Sequence, residues 1–214
     1  MISRIAAALA PVFGRTTVTT DAAGPVEGGT ILVANHTSLA DPVIVVAALR
    51  RLGVDPVVMA TAGLWKVPVL GGALARGGHI PVHRGTARAA EALDAAAAAL
   101  AAGRCLLMYG EGAIPVRPDS GEAAPQPFRS GLARLARATG APVRPVGQAG
   151  ARRISSGTTS KQIAGFLTAP ARRPRLHVHV GAPLFLPERV CEATGVAHGA
   201  VTSAWRTAVA GLAA

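Results

Sequence analysis

Short apolar runs alternate along the chain with longer stretches of helical periodicity. Residues 30–34, 56–60, 79–82, 104–109, 142–146 and 176–180 read as strands, each a brief run rich in Val, Ile or Leu. Residues 42–51, 86–102, 130–139 and 195–213 read as helices. Asp41 is placed to cap the first of these, with Pro42 in its first turn. The helix over 86–102 is the clearest, because Ala dominates it, Thr86 can cap it and Gly103 can close it. Residues 63–76 are helical or irregular, since Pro68 and Gly71-Gly72 interrupt them, and residues 114–126 form a Pro-rich loop. Residues 149–174, rich in Ser, Thr, Gly and Arg, read as an excursion from the core. His177 and His179 alternate with Val178 and Val180, the pattern of a two-sided strand. This alternation of strands and helices predicts an α/β fold with a largely parallel central sheet and helices on both faces. The 214 residues fit one domain, residues 21–214, behind an N-terminal segment of residues 1–20.

In that segment Ile2, Ile5, Leu9, Val12 and Phe13 share one helical stripe, flanked by Arg4 and Arg15. The stripe fits a short interfacial helix lying on a membrane or an ordinary packing helix, and Pro11 is expected to shorten either. A short signal peptide is a less favoured reading of the same residues. No apolar run approaches the roughly 20 residues of a transmembrane helix. Residues 31–49 come closest, but Asn35, His36 and Asp41 interrupt them.

Charge adds a second constraint. The chain holds 22 Lys and Arg against 11 Asp and Glu, a net charge of +11. Ten of those bases and none of the acids lie within residues 123–187. A solvated face normally mixes both signs, so an acid-free third of the chain predicts an anionic partner. Only Phe128 and Phe166 are interleaved with these bases, too few to stack single-stranded bases. The expected partner is therefore an anionic phospholipid surface or a phosphate group, and not nucleic acid. Cys105 and Cys191 have neither metal-site spacing nor the numbers for a disulfide scaffold. No metal or resident cofactor is expected.

Parallel sheets bind ligands beyond the carboxyl ends of their strands. There the sequence places Asn35-His36-Thr37-Ser38-Leu39-Ala40-Asp41, then His83-Arg84-Gly85, then Gly110-Glu111-Gly112. Singly, each residue has an ordinary explanation: a structural His, a helix-capping Asp, a surface Arg, a turn Glu. Together they supply a general base, its orienting carboxylate, an anion clamp and a second carboxylate. His36 and Asp41 would not face each other on a regular helix, but a turn leading into a helix can bring them together. Asp41 would then fix the imidazole tautomer and make His36 a base for a hydroxyl. No Gly-x-Ser-x-Gly elbow and no His-Glu-x-x-His or Asp-rich metal loop is present.

These blocks resemble the 1-acylglycerol-3-phosphate and glycerol-phosphate acyltransferases. Asn35-His36 through Asp41 is similar to the family's Asn-His-x4-Asp. Gly78-His79-Ile80-Pro81-Val82-His83-Arg84 resembles its Gly-x-Ile block ending in Arg, and Tyr109-Gly110-Glu111-Gly112-Ala113 its Phe-Pro-Glu-Gly-Thr. Phe128-Arg129-Ser130-Gly131, the strand 141–146, and Val180-Gly181-Ala182-Pro183-Leu184 follow in family order. The resemblance implies a peripheral enzyme on the cytoplasmic face of the cell membrane. It would move an acyl chain from acyl-CoA or acyl carrier protein to a lysophospholipid hydroxyl, most simply that of 1-acylglycerol 3-phosphate. His36 and Asp41 would be catalytic. Arg84, Glu111 and Gly112 would hold the acceptor, with Glu111 orienting Arg84 or backbone donors. The chain departs from the family at Gly110, Ala113 and Ile114-Pro115, and at Thr61 where many members carry Lys. Arg117 is a candidate replacement for the lost cation. A different lyso-lipid acceptor, or a non-catalytic anionic-lipid-binding protein on the same fold, are the alternatives.

Overall fold

The computed structural model describes residues 2–21, 24–115 and 119–213; Arg117 lies outside them. In chain order the elements are α1 (Ile2–Phe13), β1 (Arg15–Thr20), β2 (Ile31–Ala34), α2 (Asp41–Arg51), β3 (Val57–Thr61), α3 (Leu70–Arg76), β4 (Ile80–Val82), α4 (Glu91–Ala101), β5 (Leu106–Tyr109), α5 (Gly131–Thr139), β6 (Val143–Ala149), α6 (Thr159–Arg172), β7 (Arg175–Val180) and α7 (Val190–Gly211). The strands form one sheet in the order β1-β7-β6-β2-β5-β3-β4. Every neighbouring pair is parallel except β6 with β7.

The burial of β2 explains the layering. It lies between β5 and β6, and all four of its residues are buried. Leu32 and Ala34 join one apolar core with α1, α2 and α6, while Ile31 and Val33 join a second with α4, α5 and α7. The two-residue alternation of a strand thus feeds two helical layers, which is why parallel strands read as continuous apolar runs. Helices do cover both faces of a mostly parallel sheet, as the sequence predicts.

Two elements have no counterpart in the sequence reading. β1 reads Arg-Thr-Thr-Val-Thr-Thr, with a single apolar residue, because it is an edge strand paired only with β7. It places residues 15–20 in the same sheet as the rest of the chain. α6 falls inside the supposed excursion of residues 149–174. It contains Gly165 and Pro170, and Ala169 is its one fully buried residue. Gly165 is a packing requirement: a Cβ there would lie 2.2 Å from the Ile154 carbonyl oxygen.

Several boundaries also move. Pro11 does not end α1, which continues to Phe13. Thr86 donates its hydroxyl to the His83 carbonyl instead of capping α4, which starts at Glu91. β6 runs on to Ala149, and α7 begins at Val190. His177 and His179 are not on a solvent face but buried, hydrogen-bonded to Thr17, Thr19 and Asp21 beside them.

Gly147 lets α7 lie directly on β6. A Cβ there would stand 2.1 Å from the backbone of Ala204. Gly147→Ala is therefore expected to cost about 3 kcal/mol or more, read in thermal unfolding as a fall in Tm of roughly 10 °C for a chain of this size. An unchanged Tm would show that α7 can move off the sheet freely.

Candidate active site

β2 and β6 pair as far as Ala34 and Val146. Beyond that point the Asn35 side chain takes over the ladder. Its Nδ2 donates to the Gln148 carbonyl at 3.1 Å, and its Oδ1 accepts the Gln148 N–H at 2.8 Å. The backbone of residues 35–40 is thereby released from the sheet while staying anchored to it, and it turns into α2.

Asp41 sits at the start of α2 with no exposed surface. It does not cap that helix, as the sequence reading had it; its carboxylate points back into the turn. Oδ2 accepts from the backbone N–H of Thr37 at 2.5 Å, from that of Ser38 at 2.9 Å and from His36 Nδ1 at 2.9 Å. Oδ1 accepts from Gln148 Nε2 at 2.9 Å, and the same amide nitrogen donates to Thr37 Oγ1 at 2.8 Å. Complete burial pushes the Asp41 carboxyl above its usual range, and the donors from His36, Ser38 and Thr37 pull it back. This network assigns the His36 proton to Nδ1 and leaves Nε2 with a lone pair. Among the described residues Nε2 has no protein partner, and the His36 side chain keeps 12% of its surface exposed.

Two neighbours fix the ring and its backbone. Tyr109, at the end of β5, stacks on the imidazole with centroids 4.3 Å apart and planes at 27°. Burial, reinforced by the Asp41 charge, holds its phenol well above the usual range, so it stays neutral. Glu111 Oε1 accepts the His36 N–H at 3.0 Å. Glu111 is buried, and its carboxyl is pushed up to about 7 by that burial and by Asp41, with the His36 and Gln126 amides acting in the opposite sense. Among the described residues this carboxylate holds a backbone N–H and makes no bond to Arg84.

Arg84 follows the edge strand β4 and is exposed. Partial burial and the like charge of Arg129 both depress its affinity for a proton. Arg129 in turn lies over Gly112. That glycine has φ +73°, and a Cβ on it would meet the Arg129 side chain at 2.8 Å. Neither guanidinium has an acidic partner among the described residues. Two arginines without acidic partners, one sensing the charge of the other, favour an anion beside them. Beside the turn a cleft of about 260 Å³ is lined by Leu39, Ile114 and Pro115 together with Arg152, Ser155 and Gln162.

Comparisons with known proteins give the family and the fold. An acyltransferase family model matches residues 15–148, which include the His36, Arg84, Glu111 and Arg129 segments. The chain belongs to the acyltransferase family. Its fold is similar to that of the 1-acyl-sn-glycerophosphate acyltransferase PlsC from Thermotoga maritima, with a TM-score of 0.71 and 19% sequence identity, over all of this chain and 79% of that one. No curated protein matches in sequence.

In this acyltransferase three site residues escaped the sequence reading of roles. Gln148 lies beyond the apparent end of β6, and only the register brings it to Asp41. Tyr109 read as the last residue of an apolar strand. Arg129 was visible as part of a motif, but its approach to Arg84 needs the fold. The altered third block has a packing correlate: the Phe128 ring occupies the place of a side chain at Gly110, where a Cβ would stand 2.4 Å from it.

The raised Glu111 carboxyl gives a signed expectation. Its folded value of about 7 exceeds its ordinary value of 4.5, so its contribution to stability is fully present below 4.5 and is lost as pH rises through about 7. Glu111→Gln keeps an acceptor for the His36 N–H but cannot ionise. The variant should gain on the parent between pH 4.5 and pH 7, by at most about 3 kcal/mol. Parallel pH dependences in denaturant titrations would rule out a buried, ionising Glu111.

Proposed function

We propose that the chain transfers an acyl group from acyl-CoA or acyl carrier protein to the hydroxyl of a lysophospholipid, with 1-acylglycerol 3-phosphate as the first candidate. It would work as a peripheral enzyme on the anionic, cytoplasmic face of the cell membrane. The observation that carries this reading is the His36–Asp41 pair with Nε2 free and, among the described residues, no activated serine or cysteine beside it. Ser38 Oγ is buried and accepts from the Ala40 N–H. Cys105 stands just before β5, at the opposite end of the sheet, and Cys191 is on α7.

In this scheme the acceptor hydroxyl donates to His36 Nε2. As its oxygen attacks the thioester carbonyl, the proton passes to Nε2, and Asp41 stabilises the imidazolium through Nδ1–H. The carbon–sulfur bond then breaks, and the imidazolium returns the proton to the departing thiolate. No acyl-enzyme is formed. Arg84 and Arg129 would bind the acceptor's phosphate, their planar forks suiting its oxygens. Glu111, Tyr109 and Gln148 would hold the ring and turn in place.

With acyl-CoA and lysophosphatidate, His36→Ala should lose at least ~10² in kcat; equal turnover by both proteins would remove His36 as the base. Arg84→Ala and Arg129→Ala should each raise KM for lysophosphatidate about tenfold or more, with little effect on a monoacylglycerol, which lacks the phosphate. An equal effect on both acceptors would take the phosphate away from this pair.

A further inference from the structure

We propose that the cleft between α6 and residues 151–156 binds the phosphorylated nucleotide of a coenzyme A thioester, so that acyl-CoA, and not acyl carrier protein, is the acyl donor. The proposal rests on the acyl-transfer reading, which leaves the carrier open.

The cleft follows from a glycine. A Cβ at Gly165 would lie 2.2 Å from the Ile154 carbonyl oxygen, so α6 crosses the segment after β6 at backbone contact. At about 100° per residue, Lys161, Gly165, Thr168 and Arg172 fall on one face of α6, within about 60° of each other. Arg172 is folded back along that face. Its Nε donates to Thr168 Oγ1 at 3.1 Å and its Nη2 to the Gly165 carbonyl at 3.1 Å. Lys161 stands one turn before Gly165, and Arg153 comes from the segment that α6 crosses. With Arg152, Asp119 and Ser156 they line a cleft of about 550 Å³, a volume that suits a nucleotide.

The charges in this lining do not cancel. Asp119 is the one acid in it among the described residues, and its carboxylate lies 3.5 Å from Arg152. The same guanidinium also donates to the Asp119 and Gly121 carbonyls, so this pair forms the floor. Glu122 does not line the cleft. Its Oε1 accepts the Gly150 N–H at 2.8 Å, and burial pushes its carboxyl up, toward the neutral form. Arg153, Lys161 and Arg172 are exposed and have no acidic partner among the described residues. Cations gathered in a concavity focus their field on it, and the forks of two arginines match phosphate oxygens.

Position selects the ligand. This cleft adjoins the one of about 260 Å³ beside Thr37, Ser38 and Leu39, and Arg152 and Ser156 line both. A donor whose thioester reaches the catalytic turn can therefore run its pantetheine arm through the first cleft and set its phosphates in the second. Coenzyme A ends in a diphosphate and a ribose phosphate, which answer to several cations. Acyl carrier protein brings a single phosphate on its arm and an acidic protein surface, which calls for cations on an open face and not within a cleft.

Isothermal titration of the whole chain with free coenzyme A, and separately with phosphopantetheine, which lacks the nucleotide, tests this. Coenzyme A should bind about tenfold or more tightly than phosphopantetheine. Arg153→Ala and Lys161→Ala should each weaken coenzyme A about fivefold or more and leave phosphopantetheine unchanged. Arg137→Ala removes the same charge from α5, which packs on the other face of the sheet, and should bind coenzyme A as the parent does. Equal binding of the two ligands, variants at Arg153 and Lys161 that bind like the parent, or a control that loses as much would overturn the proposal. So would ATP bound as tightly as coenzyme A, which marks a site for free nucleotides, or an acyl carrier protein thioester that serves as well as acyl-CoA. If coenzyme A binds in this pattern while no acyl transfer is found, the cleft stands and the catalytic reading falls. Acyl transfer from acyl-CoA with KM unmoved in both variants would do the reverse.

Discussion

The geometry of the site depends on one buried carboxylate. Asp41 has no surface of its own, and leaving such a group unpaired would cost several kcal/mol. Four donors from three places surround it: two amides of its own turn, the His36 ring and the Gln148 side chain. The turn cannot unwind without stripping the carboxylate of donors, and the donors cannot move without leaving it unpaired. Five residues of separation between His36 and Asp41 would be the wrong spacing on a helix; in this turn it gives a 2.9 Å contact.

The sheet supplies what the turn alone lacks. Asn35 ties the turn to β6 in place of a backbone ladder, and that tie sets Gln148 against Asp41. From the other side, the loop after β5 holds the His36 amide through Glu111 and covers the ring with Tyr109. The base is therefore suspended between two neighbouring strands of the central β2, a rigid setting suited to a group that must hold one tautomer. The same end of the molecule carries Arg84, Arg129 and exposed apolar groups such as Leu39 and Val69.

Much of this was legible in the sequence, and the reasons differ by element. The inner strands β2, β3 and β5 announce themselves because parallel strands buried on both sides must be largely apolar. β1 was invisible because an edge strand needs few apolar residues, and its threonines are explained only by the histidines of β7 that bind them. α6 was hidden by a glycine and a proline and by having so little to bury. At the site, His36, Asp41 and Glu111 could be named from strand-end logic. The actual partner of Glu111, a backbone amide of the turn, could not, nor could Gln148, because both depend on how far neighbouring strands extend past each other. The net charge pointed to an anion, but Arg84 and Arg129 lie far apart in the chain, and only Arg129 belongs to the basic stretch of residues 123–187.

The central claim is that Asp41 holds His36 as the Nδ1–H tautomer with a free Nε2. Nitrogen-15 NMR of histidine-labelled protein reads this directly, with the His36 signals among the six histidines identified by their loss in His36→Gln. The account predicts a protonated, Asp41-bonded Nδ1 and a pyridine-like Nε2 in the neutral imidazole, with this preference lost in Asp41→Asn. A His36 that carries its proton on Nε2 in the native protein, or that populates both tautomers equally, would contradict it.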